Sequence, residues 1–313
     1  MSDASFITST PHTSTTRLRG GHAPAPQSTF SRCREILREP IAEFLGVAVL
    51  VIFGAGVNCQ VLLSSASGVS SSPKGDYLSV CFGWAVGLSL GVWVSNGISP
   101  GHINPAVTLA MATWRGFSWK KVPGFILAQI LGGFVGAALI YANYSHAIDI
   151  FEGGAGVRTM KTAGVFGAYA VDYLPNGSAF FSEALGTAVL VLVIIATTDA
   201  GRGAAVPPAG LFPLVIFVTL LGISAALGMQ TSFSLNPARD FGPRLLSAAV
   251  GYRGAVFSYR SQYWLWTGVL GPVVGAQVAA GLYDLFLYNG PDGVVGKRTG
   301  GAKHGVNHAT DAV

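Results

Sequence analysis

Charged side chains are scarce in this chain. Nineteen Lys and Arg and 14 Asp and Glu among 313 residues make up 11% of it, while half of all residues are apolar. A soluble domain carries about a quarter charged residues, so a water-facing globule is excluded and a membrane-embedded chain is indicated. Cysteine is nearly absent. Cys33, Cys59 and Cys81 fit neither a disulfide framework nor a metal-ligand spacing, and the latter two read as small hydrophobes. The apolar runs hold no nucleophile–base pairing, metal-ligand cluster or phosphate-binding loop. No cofactor or metal is therefore expected, and an enzyme is argued against. The net charge of +5 is spread over ends and short loops with no basic face, which removes nucleic acid as a partner. The first 40 residues have no apolar leader segment.

Glycine, by contrast, is abundant at 42 residues, as in membrane helices that approach closely. Six apolar runs, at about 41–63, 77–95, 122–144, 180–197, 208–229 and 263–287, are long enough to cross a hydrocarbon core of about 30 Å. Two further apolar stretches, about 106–114 and 237–250, have half that length. The Ser-, Thr-, Pro- and Arg-rich residues 1–38 read as a disordered tail, and 289–313 as a polar, Gly-rich second tail.

The membrane part is a repeat. Ala42-Glu43-Phe44-Leu45-Gly46-Val47-Ala48-Val49 matches Ser182-Glu183-Ala184-Leu185-Gly186-Thr187-Ala188-Val189. Each half, about 39–145 and 179–288, reads as span, span, half-helix, span, and a long loop joins the two. Three spans per half force the second half to cross in the opposite direction, and interrupted helices at matching places point to a pathway at the midplane. Lys and Arg cluster in the N-terminal tail, at Arg115, Lys120, Lys121 and Arg202, and in the C-terminal tail. By the positive-inside rule both termini are cytoplasmic and the long loop is extracellular.

One tripeptide occurs in both halves: Asn104-Pro105-Ala106 and Asn236-Pro237-Ala238. Asn is a strong helix N-cap and Pro is favoured at the first helical position, so each tripeptide starts a half-helix. A helix start carries roughly half a positive elementary charge and unpaired N–H donors. At membrane depth it is tolerable only beside a cavity or a water-filled path. Arg239, one turn into the second half-helix, is costly at that depth unless it lines the same path.

The twin boxes, Glu43 and Glu183 early in each half, and the plan of six spans plus two half-helices resemble the major intrinsic protein family, the aquaporins and aquaglyceroporins, over roughly residues 38–288. The resemblance implies an all-α membrane protein with six transmembrane helices and two re-entrant half-helices in an inverted repeat. It implies that Asn104 and Asn236 turn their amides into a pore, and that Glu43 and Glu183 accept backbone N–H groups of the re-entrant loops. Arg239 then belongs to an outer selectivity constriction with Trp84, Phe233 and, twelve positions before Asn236, Ser224. Asp240 directly follows Arg239, as in members that pass glycerol. Ser224 departs from the His of water-selective members and from the Gly of glycerol channels. Pro100 stands where glycerol channels often have Gly, yet keeps its carbonyl. His102 lines the cytoplasmic half of the pore. Carbonyls of Pro100, Gly101 and His102, and of Ser232, Phe233 and Ser234, form an acceptor ladder.

What this implies is a passive channel for water and small uncharged polyols, glycerol first among them, that excludes protons and ions. A water-selective channel, or one for urea, hydrogen peroxide or gases, is the alternative, and a coupled transporter a further one. The expected setting is a homotetramer in the lipid bilayer of the plasma membrane.

Overall fold

The computed structural model describes residues 28–290 and 293–294. Two compact units divide after Ile36. Of the first, Thr29–Ile36 are described as the opening turns of a helix, and the second holds the rest of the fold. The tails expected at 1–38 and 289–313 lie mostly outside the described residues. Where the first is described it is helical from Thr29, ahead of the expected span.

Eight helices carry the described architecture: α1 Thr29–Leu63, α2 Tyr77–Ser95, α3 Pro105–Trp114, α4 Val122–Glu152, α5 Asn176–Thr198, α6 Phe212–Leu227, α7 Pro237–Ser247 and α8 Tyr263–Phe286. Among the described residues the one extended feature is an isolated bridge from Asn96 to Ser99. Five of these helices are long and apolar enough to cross a membrane. The sixth expected span, α6, has 16 residues, about 24 Å at 1.5 Å per residue, and a short 3₁₀ turn at Ala209–Leu211 extends it.

Most boundaries follow from local chemistry. Asp76 and Ser79 form a capping box at the start of α2, and Asn104 and Asn236 cap α3 and α7. The α4 helix runs eight residues past the expected Tyr144, to Glu152. Its polar end costs little once it is clear of hydrocarbon, and Gly153, at φ 85°, is what stops it. The half-helix α7 ends in a π-helical turn, Ala248–Tyr252, and α8 contains another at Trp266–Leu270.

The inverted repeat is visible in the packing. Each half-helix lies against the last helix of the opposite half, α3 on α8 and α7 on α4. In each half a glycine of the last helix meets the carbonyl of the residue that follows the repeated acid, Glu43 or Glu183: Gly132 against Phe44, and Gly275 against Ala184. A Cβ at either glycine would overlap that carbonyl, so both contacts need a residue with no side chain.

Candidate functional site: two helix starts and the path between them

The two half-helices begin beside one another. Asn104 Oδ1 accepts the Ala106 N–H at 2.8 Å, and Asn236 Oδ1 accepts the Ala238 N–H at 2.9 Å. Their amide nitrogens then cross over. Asn104 Nδ2 donates to the Leu235 carbonyl at 3.0 Å, and Asn236 Nδ2 to the Ile103 carbonyl at 2.7 Å. Each carboxamide has two N–H donors, so one ties the halves together and one is left for the space between them. Two positive helix ends converge there.

The loops that reach these caps are strained. Ile103 and Leu235, the residues before each Asn, have φ of 40° and 53°, and Ser232 and Phe233 have 62° and 39°. Bulky residues in this region cost roughly 1–3 kcal/mol each and persist only when their surroundings hold them. The two buried carboxylates do so. Glu43 Oε1 accepts the His102 N–H at 2.9 Å and the Ser99 hydroxyl at 2.7 Å. Its Oε2 takes the Ile103 N–H at 2.6 Å and Gln129 Nε2 at 2.8 Å. Glu183 receives the N–H groups of Ser234 and Leu235, both at 2.8 Å.

Three cavities line up through these residues. The largest, about 540 Å³, is walled by Val92, Val107, Met111, Ile194 and other apolar side chains, with Pro100, Gly101, His102 and Asn104 along one side. The opposite one, about 290 Å³, is lined by Tyr77, Trp84, Ser232, Phe233 and Arg239. Between them lies a space of about 20 Å³ that shares Leu88, Asn104 and Leu190 with the first and Trp84, Phe233 and Arg239 with the second. Asn236 and Ser234, from the loop and cap, line this middle space together with Leu50 and Leu220 from α1 and α6. One wall of the path is thus polar loop and the other is aliphatic helix.

His102 has a definable tautomer. The Thr108 hydroxyl donates to the Asn104 carbonyl and accepts from Gln129 Nε2. Its contact with His102 Nδ1 at 3.2 Å therefore needs the proton on Nδ1. Nε2 is the nitrogen left for other partners, and Phe117 holds the ring edge-on at 4.8 Å.

At the narrow point the Trp84 and Phe233 rings stand perpendicular, with centroids 6.4 Å apart. The resemblance puts Arg239 in one constriction with this corner, where a guanidinium facing it from the other side would leave the ring faces open. The structure brings the three together and lays the guanidinium on the Trp84 face, 3.8 Å from the ring centroid. A planar guanidinium stacks readily on an aromatic face, and this stacking is part of why the middle space is small. Arg239 is 3% exposed, and its Nη1 has no hydrogen-bond partner. Ser224 is turned away from the cavities. Its hydroxyl donates back to the Leu221 carbonyl at 3.1 Å. The neighbouring position is taken by Tyr77, whose hydroxyl donates to the Ser224 carbonyl at 2.9 Å, a residue that carries no motif signal in the sequence.

Asp240 does not touch Arg239 through a hydrogen bond. Its carboxylate accepts the Ala168 N–H at 2.6 Å and pairs with Arg244, whose Nε lies at 2.7 Å. Arg244 also donates to the carbonyls of Val256 and Ala168, so the pair pins the long inter-repeat loop to α7. Arg244 was legible as an acid–base pair at i and i+4, but its loop partners were not.

Comparison with known proteins agrees with this geometry. A sequence model described as "Major intrinsic protein" matches residues 30–283. The chain is a member of the major intrinsic protein family. It is 61% identical over 270 residues to Aquaporin-6 of Laccaria bicolor, covering 86% of each chain. It is 43% identical over 272 residues to the probable aquaglyceroporin-2 of Gibberella zeae, covering 86% of this chain and 78% of the other. The crystal structure of the aquaglyceroporin from Plasmodium falciparum superposes with a TM-score of 0.69 at 28% identity, over 83% of this chain and 96% of that one. The fold is the aquaporin fold, and the protein is a multi-pass integral membrane channel of a family that is not enzymatic. Channels of this family carry water and small solutes.

Proposed function

We propose that this channel passes small uncharged polyols, glycerol first among them, together with water, and excludes protons and ions. The observation that carries the reading is the constriction itself. A perpendicular Trp84–Phe233 corner offers apolar surface to carbon, and the buried Arg239 Nη1 offers an unpaired donor to a hydroxyl. A polyol presents one of each to such a wall, and transit exchanges its hydration for that donor and for loop carbonyls. The free N–H of each box amide adds a donor at the midpoint. A cation meets Arg239 and two positive helix ends there, and is repelled. The relative named a probable aquaglyceroporin and the aquaglyceroporin structure support the polyol reading, while the Laccaria relative is named an aquaporin.

Water selectivity is the second reading, and one observation favours it. With Arg239 on Trp84 the middle space is about 20 Å³, close to what a single water needs. Glycerol passage requires the guanidinium to leave the ring face. Proteoliposome swelling in a glycerol gradient decides between the two: uptake well above that of protein-free vesicles supports the polyol channel, and shrinkage without re-swelling leaves a water channel. Dependence on a proton gradient would sink both in favour of a coupled transporter.

The proposed setting is a homotetramer in the plasma membrane with both termini cytoplasmic. The Lys and Arg bias supports the orientation, and family resemblance supports the assembly. In that orientation the wide apolar cavity is the cytoplasmic vestibule and the Arg239 side is extracellular. Protease access to the tails in sealed vesicles tests the orientation.

A further inference from the structure

Asn58 lies near the end of α1, beside the 290 Å³ cavity. Its Oδ1 accepts the Trp84 indole N–H at 3.2 Å, and its Nδ2 donates to the Val165 carbonyl at 3.0 Å. Gly54, four residues earlier and on the same helix face, lies under the indole, where a Cβ would overlap the ring. One face of α1 thus grips Trp84 twice, with a gap for the ring and an amide for its N–H. A buried indole N–H seeks a partner. Without Asn58 the nearest way to satisfy it is to turn the ring toward the path, which would spoil the perpendicular Phe233 angle and put a polar edge where the solute's carbon would pack.

We propose that Asn58 is a specificity-determining positioning residue of the constriction: it holds Trp84 by the indole N–H, so that the solute meets the ring's apolar surface and takes its donor from Arg239. The proposal deepens the polyol reading and rests on it. Asn58 acts through Trp84 and does not itself have to touch solute.

The test is a double-mutant cycle on the full chain in proteoliposomes, with glycerol and water permeability measured by stopped flow. Asn58→Leu lowers the glycerol-to-water ratio by about fivefold, the worth of one neutral hydrogen bond. Asn58→Asp, which keeps an acceptor for the indole but has no amide donor for Val165, recovers most of that loss. In a Trp84→Phe background, where there is no N–H to hold, Asn58→Leu changes the ratio no further. An equal drop in the Trp84→Phe background, or no recovery with Asp, overturns the proposal and assigns the effect to the Val165 tie. A wild-type protein that passes no glycerol sinks the polyol reading instead. The same cycle is then read on water permeability, where coupling between Asn58 and Trp84 still decides.

Discussion

The two re-entrant loops share a backbone device and differ in what surrounds it. In the first, Glu43 gathers two backbone N–H groups, a hydroxyl and the Gln129 amide, and the path beside it opens into about 540 Å³ of mostly apolar wall. In the second, Glu183 takes the two matching N–H groups and the Thr231 side chain, and the path closes on Arg239, Trp84 and Phe233. The symmetric parts are those that must bring two helix starts together: Asn caps, crossed amides, strained loop residues and an acid to hold them. In the proposed reading, the asymmetric parts are those that choose what passes. A symmetric filter would place the same barrier twice in one path, whereas one charged constriction leading into a wide vestibule would sort a solute once.

Breaking the frame has the largest expected effect. Glu43→Ala leaves the His102 and Ile103 N–H groups and Gln129 without their acceptor, at about 2 kcal/mol for each orphaned buried group. The variant is expected to lose most of its folded yield in detergent size-exclusion and thermal-unfolding assays. Glu183→Ala is expected to be milder, and equal losses would show that the Gln129 amide beside Glu43 adds nothing. Next comes Arg244→Met, which strands Asp240 beside the inter-repeat loop. Breaking one partner of a buried pair costs about 3–5 kcal/mol, seen here as a lower unfolding midpoint, while Asp240→Asn with Arg244→Met restores part of it.

The filter is tested by function rather than stability. Arg239→Val is expected to raise proton leak by about tenfold, the share of a barrier worth roughly 1.4 kcal/mol, while water still passes. An unchanged leak in a pH-dye liposome assay would place the barrier at the boxes alone. The smallest change is Trp84→Phe with Ser224→His, expected to shift the glycerol-to-water ratio toward water by about fivefold, as one lost packing and polar contact would. Tyr77 already bonds to the Ser224 carbonyl, so Ser224→His by itself sharpens the question: a shift only when Tyr77 is also shortened to Phe would show that Tyr77 occupies the place expected of Ser224.

Much of this was legible before any coordinates. Hydropathy and the doubled box determined the class, the inverted repeat and the half-helix starts, because N-capping and membrane-length apolar runs are local signals. The acids Glu43 and Glu183 could be matched by position, and their N–H partners lie in the loops expected of them. Less legible was the end of α4, where polar residues outside hydrocarbon carry no stop signal until Gly153. The Ala168 partner of Asp240 and the Tyr77 contact of Ser224 were not legible, since both depend on elements far away in the chain.

The sequence by itself determined that two positive helix ends would lie inside a membrane, and the family resemblance added that they meet beside an arginine and two aromatic rings. Only the tertiary structure decided how wide that meeting place is. Whether Arg239 faces a solute or lies on Trp84, and whether Ser224 or Tyr77 stands beside it, depends on contacts across α1, α2, α6 and α7. Helix caps and apolar runs are properties of neighbours in the chain. The bore of a path is the small space left over by many packed surfaces, and no single segment encodes it.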